Sequence, residues 1–385
     1  MVDGKNTQKT GLILAGGGAR AAYQVGVLKA IGELLPKTAP NPFPIICGSS
    51  AGAINSAALA IYGERYQEAI QRMLRVWRNF HVDQVFRSDL AGIAMSGAHW
   101  MLALTFGGLG KWNPKSLLDR RPLRDLLDRY IPCGEIQKSI DSGVIDALSI
   151  TASGYSSGQS VAFYQGVDTI APWKRVNRIG CKASITLDHL MASSAIPFIF
   201  SPERIHREYF GDGSMRQNAP ISPALHLGAD KVLVIGVTNS SDQRQQRKEV
   251  TSNPSLAQIA GHILNSIFLD SLEADLERLQ RINKIISLIP SSSLEEGGVK
   301  LRHVDALTIS PSEDLQALAA KYAHMLPRTI RFLLRGIGAF NNDGTSLVSY
   351  LLFEKAYCRE LISLGYADTM QRRRELTEFL AIGGT

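Results

Sequence analysis

One short stretch, residues 45–55, limits what this chain can fold into more than any other. It begins with three apolar residues typical of a buried strand, passes through Gly-Ser-Ser-Ala-Gly, and continues into small residues that suit a closely packed helix. A G-x-S-x-G motif between a strand and a helix favours a nucleophile elbow, in which a strained turn presents the central residue, here Ser50. Gly48 and Gly52 would let the flanking backbone segments close up. The alternative is a plain helix start with Ser50 as its N-cap.

Composition indicates a folded globular chain of one large or two ordinary domains, since 45% of the 385 residues are hydrophobic and 20% are charged. The net charge of +7 suits either nucleic acid or an anionic membrane face. Because no zinc-finger spacing or aromatic-interleaved basic run occurs, we expect no nucleic-acid partner. A polar start without a signal-peptide core, and Val2 where myristoylation needs glycine, predict a cytoplasmic protein that associates peripherally with membranes. Four scattered cysteines are expected to be buried apolar residues in a reducing compartment: Cys47, Cys133, Cys181 and Cys358.

A second glycine-rich turn, residues 16–20, follows the first apolar run. Gly16, Gly18 and Ala21 fit the dinucleotide fingerprint G-x-G-x-x-G/A, but the acidic residue that this fingerprint requires after the second strand is missing. The other functional interpretation is an oxyanion hole, because backbone N–H groups of Gly16, Gly17 and Gly18 can approach a substrate oxygen without obstruction. A valine at position 17 would then project into the place of that oxygen. Without either role, the loop is a tight turn between strand and helix.

Alternating apolar runs and helical patterns predict an α/β fold with a mostly parallel sheet and a helical C-terminal portion. We place one domain at residues 8–310 and a helical extension packed on it at residues 311–385. A hairpin or a pair of edge strands is predicted from residues 147–154 and 161–165, and a long helix from residues 256–286. Further strands are predicted at 11–15, 45–47, 231–237 and 307–310.

Residues 90–110 carry no formal charge, although five glycines and His99 interrupt their apolar character. Three interpretations stay open: a membrane span, a buried core segment, or a mobile apolar lid or membrane-facing surface. We expect a lid that covers a site in water and opens onto a bilayer. The basic residues that follow would contact anionic lipid head groups or form a solvated helix face: Lys111, Lys115, Arg120, Arg121 and Arg124.

Three motifs occur in order along the chain: Gly-Gly-Gly-Ala-Arg at 16–20, Gly-Ser-Ser-Ala-Gly at 48–52, and Asp212-Gly213. In this order they resemble the patatin-like phospholipases, whose pattern is G-G-G-x-R, then G-x-S-x-G, then D-G. The chain departs from that pattern at Ala21, where members often have glycine. The resemblance covers about residues 11–237.

This resemblance implies a three-layer α/β/α fold and a lipid acyl hydrolase of phospholipase A or lysophospholipase type. Members use a Ser–Asp dyad without a catalytic histidine, which would make Ser50 the nucleophile and Asp212 the base. A phospholipid or other acyl-ester lipid would be the substrate, an anionic membrane surface a partner, and a regulatory protein or a second copy a further partner. No cofactor or metal is expected. The remaining implied site residues are Gly16, Gly17 and Gly18 in the oxyanion hole, with Arg20, Gly48, Gly52 and Gly213 in support.

Two alternatives remain for Ser50. A non-enzymatic adaptor would carry the serine as a remnant, whereas an α/β-hydrolase would use a Ser-His-Asp triad. By itself, Asp212 is also compatible with an ordinary D-G turn. Because an aspartate with its unperturbed pKa of about 4 is a poor base, the dyad requires that Asp212 be buried. Histidines available to a triad lie after Ser50, none in a recognisable motif: His189, His206, His226, His262, His303 and His324.

Overall fold

The computed structural model describes residues 8–106, 108, 110, 116–239, 253–267, 271–290, 301–340 and 345–382. The strands are β1 Thr10–Leu14, β2 Ile45–Ser49, β3 Ala147–Gly154, β4 Ser160–Gly166, β5 Trp173–Arg175, β6 Arg178–Lys182, β7 Glu203–Ile205, β8 Glu208–Asp212, β9 Lys231–Ile235 and β10 Asp305–Ile309. The helices are α1 Ala22–Leu34, α2 Ala51–Ala60, α3 Tyr66–Trp77, α4 Leu90–Thr105, α5 Arg121–Tyr130, α6 Glu135–Asp141, α7 Leu187–Ser193, α8 Ser222–His226, α9 Leu256–Asn265, α10 Ser271–Ile286, α11 Leu315–Tyr322, α12 Arg328–Gly336, α13 Thr345–Leu351, α14 Lys355–Gln371 and α15 Arg373–Leu380.

The strands form one sheet in the order β10-β9-β1-β2-β3-β4-β6-β5, and β8 pairs with β3 and β7. From β10 to β3 all neighbours are parallel, and β3 then pairs antiparallel with β4. Every residue of β1, β2 and β3 is buried, as expected for parallel strands covered on both faces. The predicted mostly parallel α/β sheet is confirmed. The two strands predicted at residues 147–154 and 161–165 are antiparallel neighbours, but they are not edge strands, since β6 and β5 continue the sheet.

Helices cover both faces of this sheet. Along β1, Leu12 and Leu14 belong to one buried apolar cluster, which includes residues of α1, α2, α3 and α14. Ile13 belongs to a second cluster, which includes residues of α8 and α10. Because alternate residues of a strand point to opposite faces, the clusters lie on opposite sides of the sheet. The chain therefore has the expected three-layer α/β/α arrangement.

The helices that follow β10 share the first of these clusters with the sheet. Helix α14 crosses α1 so closely that a Cβ atom on Gly26 would lie 2.1 Å from the Ile362 carbonyl oxygen, and one on Gly365 would lie 2.2 Å from the Tyr23 carbonyl oxygen. The Tyr23 hydroxyl also donates a hydrogen bond to Asp368 at 3.0 Å. The C-terminal portion is helical as predicted, and its helices pack on the same face of the sheet as α1.

Several sequence predictions need correction. The single helix predicted over 256–286 is two helices, α9 and α10, with residues 268–270 outside the described ranges. Cys181 is exposed and Cys133 is partly exposed, so only Cys47 and Cys358 are the buried apolar residues that we expected. Among the described helices, none has the length and apolar character needed to cross a bilayer.

The uncharged stretch forms α4, and the side chains described on it contradict a buried core segment. Met95, Met101, Leu102 and Phe106 are 69%, 68%, 49% and 69% exposed. Residues 107, 109 and 111–115, and with them Lys111 and Lys115, lie outside the described residues.

The arginines after this stretch are not the free basic patch that we expected. Arg120 is only 3% exposed. Arg121 is paired with Asp119, and Arg124 is paired with Asp188 and Glu203. Arg121 and Arg124 are therefore engaged in ion pairs within the protein.

Candidate active site

Ser50 sits at the reversal between β2 and α2 in a strained backbone conformation, with φ 54° and ψ −129°. For a residue with a side chain this combination is unfavourable by about 1–3 kcal/mol and persists only when its surroundings enforce it. The Ser50 N–H donates to Ser193 Oγ at 2.9 Å, and Ser193 Oγ donates to the Thr151 carbonyl at 2.6 Å. Helix α7 and strand β3 thus hold the turn, and Ser50 itself is 2% exposed.

The glycines around this turn are required by close backbone packing. A Cβ atom on Gly48 would lie 2.5 Å from the Gly52 carbonyl oxygen, and one on Gly52 would lie 2.2 Å from the Leu14 carbonyl oxygen. On Gly213 it would lie 2.0 Å from the Thr151 carbonyl oxygen. Backbone atoms at such distances cannot move aside cheaply, so each position excludes a side chain.

The sheet brings Asp212 next to Ser50 although the two are far apart in sequence. Strand β2 pairs with β3 as far as Ser49, which lies opposite Thr151. At the next residue of β3, Ala152, the partner becomes Asp212 of β8. The other edge of β3 is occupied by β4 along this whole length, so β8 must take the position that β2 has left. Asp212 therefore lies directly beyond the end of β2 in space.

Burial makes the Asp212 carboxyl a stronger base than an ordinary aspartate. The residue has no exposed surface, and this burial raises the pKa of Asp212 to about 6, against opposing effects of the Ser50 hydroxyl, Ser214 and Arg120. Oδ1 accepts a hydrogen bond from the Ser214 N–H at 2.9 Å, whereas Oδ2 has no hydrogen-bond partner. The Ser50 hydroxyl therefore interacts with the carboxyl outside ideal hydrogen-bond geometry, as is common in unliganded catalytic sites.

The glycine loop meets the site mainly through Gly18. Gly18 has φ 55° and lines the same cavity as Ser50, whereas Gly16 lines a second pocket together with Gly48. A Cβ atom on Gly17 would lie 2.6 Å from the Val237 side chain. The expectation that a valine at this position would occupy the place of the substrate oxygen is thus wrong, because the side chain would be directed at β9 and its continuation.

Comparison with known proteins agrees with this geometry. The family model for patatin-like phospholipases matches residues 12–225, which is more than half of the chain. The chain belongs to the patatin-like phospholipase family. A triacylglycerol lipase of Schizosaccharomyces pombe (ptl3) is 44% identical over 68 residues, or 17% of this chain and 13% of the relative. A lysophospholipase of Aspergillus terreus (nte1) is 42% identical over 78 residues, or 18% of this chain and 5% of the relative.

The chain thus spans only a small part of the length of these curated relatives. Among solved structures, VipD from Legionella pneumophila aligns over 94% of this chain and 66% of its own, with 14% identity and a TM-score of 0.32. At that TM-score the likeness adds nothing to the argument from the sheet.

A buried arginine that the sequence did not reveal as a site residue, Arg120, interacts electrostatically with Asp212. Arg120 donates hydrogen bonds to the carbonyls of Met191 and Ser201 and lies 3.4 Å from Glu203 Oε1. Burial lowers the pKa of Arg120 to about 10, so the guanidinium stays charged, and its charge lowers the pKa of Asp212. No local motif distinguishes Arg120 from Arg121 and Arg124, the neighbouring arginines of the same run, which lie at the surface.

Arg20, the last residue of the glycine motif, anchors the loop to the C-terminal helices. It is 1% exposed, donates from Nε to Ser349 Oγ at 2.8 Å, and places its guanidinium 4.1 Å from the centre of the Tyr350 ring. Gly18 fits against the same helix, since a Cβ atom there would lie 2.3 Å from the Tyr350 carbonyl oxygen. Helix α13 therefore fixes the loop from the side opposite to the sheet.

An apolar cavity extends from Ser50 between α2, α3 and α5. Ser50, Ala51 and Gly18 lie at one end, and aliphatic and aromatic side chains line most of the rest, together with Asn55, Arg72 and Ser194. Such a lining accepts a hydrocarbon chain and excludes water from the reacting groups. The apolar walls include Ile54, Trp77, Leu127, Ile196, Phe200 and Phe353.

The histidines give a triad no support. None of the residues that line the Ser50 cavity is a histidine. His189 is buried against Phe163 and bonds to Thr186, and burial lowers the pKa of His189 to about 4. Within the described ranges, no group of three or more His, Cys, Asp or Glu side chains is arranged to hold a metal ion.

Proposed function

We propose that the chain is a lipid acyl hydrolase of phospholipase A or lysophospholipase type, with Ser50 as nucleophile and Asp212 as base. The observation that carries the proposal is the buried, unpartnered Oδ2 of Asp212 beside a strained serine at the end of an apolar cavity. The two relatives are a triacylglycerol lipase and a lysophospholipase, and both names refer to ester lipids. Residues 12–225, the segment that the family model matches, contain both proposed catalytic groups.

In the first half of the reaction, Asp212 takes the proton of the Ser50 hydroxyl as Oγ attacks the ester carbonyl carbon. Negative charge then develops on the carbonyl oxygen. Backbone N–H groups of the glycine loop at Gly18, and of Ala51 in the first turn of α2, are the donors available to it. Collapse of the tetrahedral intermediate breaks the ester bond, the proton passes from Asp212 to the leaving alcohol oxygen, and the acyl group remains on Ser50.

In the second half, water replaces the alcohol. Asp212 takes a proton from the water, whose oxygen attacks the acyl carbon, and Ser50 leaves with that proton as the fatty acid is released. A base with a pKa of about 6 is ionised at neutral pH and still more basic than an exposed aspartate. Arg120 acts through Asp212 and is a positioning residue in this scheme.

Because the cavity accepts a hydrocarbon chain, the substrate would be drawn from a lipid assembly, and we propose peripheral action at a membrane surface in the cytoplasm. A regulatory partner or a homodimer stays a prediction. The adaptor alternative conflicts with the intact pairing of a strained serine and a buried carboxylate, which serves no evident structural purpose.

The proposal is tested by fluorophosphonate labelling together with hydrolysis of a short soluble ester. We expect labelling at Ser50, loss of both signals in Ser50→Ala, and loss of hydrolysis in Asp212→Ala, with a double variant little worse than either. Ser287→Ala, which removes an exposed serine at the end of α10, serves as the matched control and keeps full activity. Unlabelled wild-type protein would favour the adaptor, and a histidine variant as inactive as Ser50→Ala would favour a triad.

A further inference from the structure

Helix α12 presents an aromatic side chain between two arginines on its outer face. Ile330 and Leu334 are buried, whereas Phe332 is 78% exposed. Arg328 and Arg335 lie four residues before and three residues after Phe332, which puts all three on one face of the helix. A single exposed phenylalanine is ordinary at a protein surface, so what matters is whether it belongs to a larger exposed apolar patch.

The described part of the chain supplies no ion-pair partner for the arginines of α12. Among the residues that the structure describes, no carboxylate forms an ion pair with Arg328, Arg331 or Arg335. This distinguishes α12 from the run at Arg120–Arg124, in which Arg121 and Arg124 are paired internally. Within the described structure, the helix therefore carries arginines that no carboxylate neutralises, on either side of an exposed ring.

Helix α4 is the neighbour of α12 and is also apolar on its exposed face. Gly97 of α4 and Leu333 of α12 line one apolar cleft, and Thr329 Oγ1 donates to the Ser88 carbonyl just before α4. On α4 the exposed side chains of Met95, Leu102 and Phe106 recur at a spacing that keeps them on one face. We name the exposed faces of these two helices the docking surface: Met95, Leu102, Phe106, Arg328, Phe332 and Arg335.

One short segment connects this cleft with the acyl cavity. Ile196 and Phe200 line the cavity that contains Ser50, and Ile199 between them lines the cleft. Phe198, in the same segment, is 78% exposed with φ 64°, and its carbonyl accepts a hydrogen bond from the Leu117 N–H at 2.9 Å. The cleft between α4 and α12 is thus separated from the acyl cavity by the thickness of a single chain segment.

We propose that α12 and α4 dock the protein onto an anionic lipid bilayer, with Arg328 and Arg335 at the head groups and Phe332 in the interfacial layer. A basic helix with exposed aromatic and aliphatic side chains has the character of an interfacial helix. The charge complementarity favours a bilayer over a second copy of this chain, because two such surfaces would bring unpaired arginines together. The inference rests on the proposed function in one respect, namely that the docked membrane also supplies the substrate.

Vesicle flotation of the full chain tests the surface, in the Ser50→Ala background so that hydrolysis cannot change the vesicles. The probes are phosphatidylcholine vesicles with and without phosphatidylglycerol. Each arginine near an anionic surface contributes about 1 kcal/mol, so Arg328→Gln with Arg335→Gln should weaken binding to the anionic vesicles about 30-fold. Phe332→Ser should weaken it further, and added salt should weaken the wild-type interaction.

The matched control is the β5–β6 hairpin, where Arg175 and Val176 are both exposed. Lys174→Gln with Arg175→Gln removes two positive charges there, as Arg328→Gln with Arg335→Gln does on α12, and Val176→Ser removes exposed apolar area as Phe332→Ser does. Both changes should leave vesicle binding unchanged. Equal losses from both pairs of substitutions, or wild-type binding by the α12 variants, would overturn the proposal. So would a dimer in light scattering that Phe332→Ser dissociates, since a second copy would then cover the face.

Hydrolysis of a short soluble ester separates this inference from the proposed function. The α12 variants, made with Ser50 intact, should keep wild-type activity on that ester and lose it on anionic vesicles, which also shows that they are folded. If the wild-type protein hydrolyses no ester, the proposed function fails while flotation still decides whether α12 binds the bilayer.

Discussion

Replacement of Asp212 by asparagine should abolish hydrolysis and, at neutral pH, make the protein more stable. The carboxyl has no exposed surface, and its burial raises the pKa of Asp212 from 3.8 to about 6. A shift of two pKa units corresponds to about 3 kcal/mol between the protonated and ionised forms. Asparagine keeps the size of the side chain and has an oxygen for the Ser214 N–H, but it carries no charge that must be buried.

The stability gain has a defined dependence on pH. Because the folded state binds the Asp212 proton more tightly than the unfolded chain does, the free energy of unfolding of the wild-type protein falls as pH rises from about 4 to about 6. Below about pH 4 the carboxyl is protonated in both states, and wild type and Asp212→Asn should be equally stable. At pH 8 the variant should be more stable by up to about 3 kcal/mol.

Urea unfolding of both proteins between pH 4 and pH 8 measures this difference, with the hydrolysis of a soluble ester recorded on the same samples. Asp141→Asn makes the same change on an exposed aspartate of α6 and should show the same free energy of unfolding as the wild-type protein at every pH in this range. The reasoning would be refuted if Asp212→Asn were no more stable than the wild-type protein at pH 8. It would also be refuted if the difference in free energy of unfolding between the two proteins did not vary with pH.

Two further outcomes follow from the same geometry. The kcat/KM of the wild-type protein should rise with pH through a midpoint near 6 as Asp212 ionises. Arg120→Met should move that midpoint to higher pH because the cation lowers the pKa of Asp212, whereas Arg120→Lys should keep the midpoint nearer the wild-type value. An unchanged midpoint in Arg120→Met would show that the arginine does not act on Asp212. Gly52→Ala would put a Cβ atom 2.2 Å from the Leu14 carbonyl oxygen and should lower the free energy of unfolding by about 2 kcal/mol or more. Gly134→Ala, where no atom lies within 4 Å, should change it by less than about 0.5 kcal/mol, and equal effects in thermal unfolding would contradict the packing argument.

The parts of the fold that the sequence predicted are those encoded locally. A run of apolar residues followed by Gly48-Ser49-Ser50-Ala51-Gly52 contains within one segment the strand, the turn and the close contacts of its glycines. The parallel sheet and its covering helices likewise follow from the alternation of periods along the chain. The sequence predicts the pairing of Ser50 with Asp212 only through the order of three motifs. No pattern near either residue encodes that β8 takes over from β2 as the neighbour of β3.

What the sequence could not predict depends on contacts between distant segments. Arg120 is buried and Arg121 is exposed, yet both are neighbours in one basic run. The obstruction that a side chain at position 17 would meet comes from Val237, a residue far along the chain that follows β9. The sequence shows the regular spacing of the residues on the exposed face of α12. It does not show that no carboxylate of the described structure pairs with the arginines there, because that depends on segments far away in the sequence.

The exchange of strands beside β3 has a consequence for how such a protein can change over evolution. Ser49 and Asp212 pair with successive residues of β3, so the backbone ladder of the sheet sets the distance between Asp212 and the adjoining Ser50. Helices α3 and α5 line the cavity but contribute no strand to this ladder. Helices α4, α5 and α12 can therefore be lengthened, exchanged or changed in sequence while the sheet keeps Ser50 and Asp212 in register.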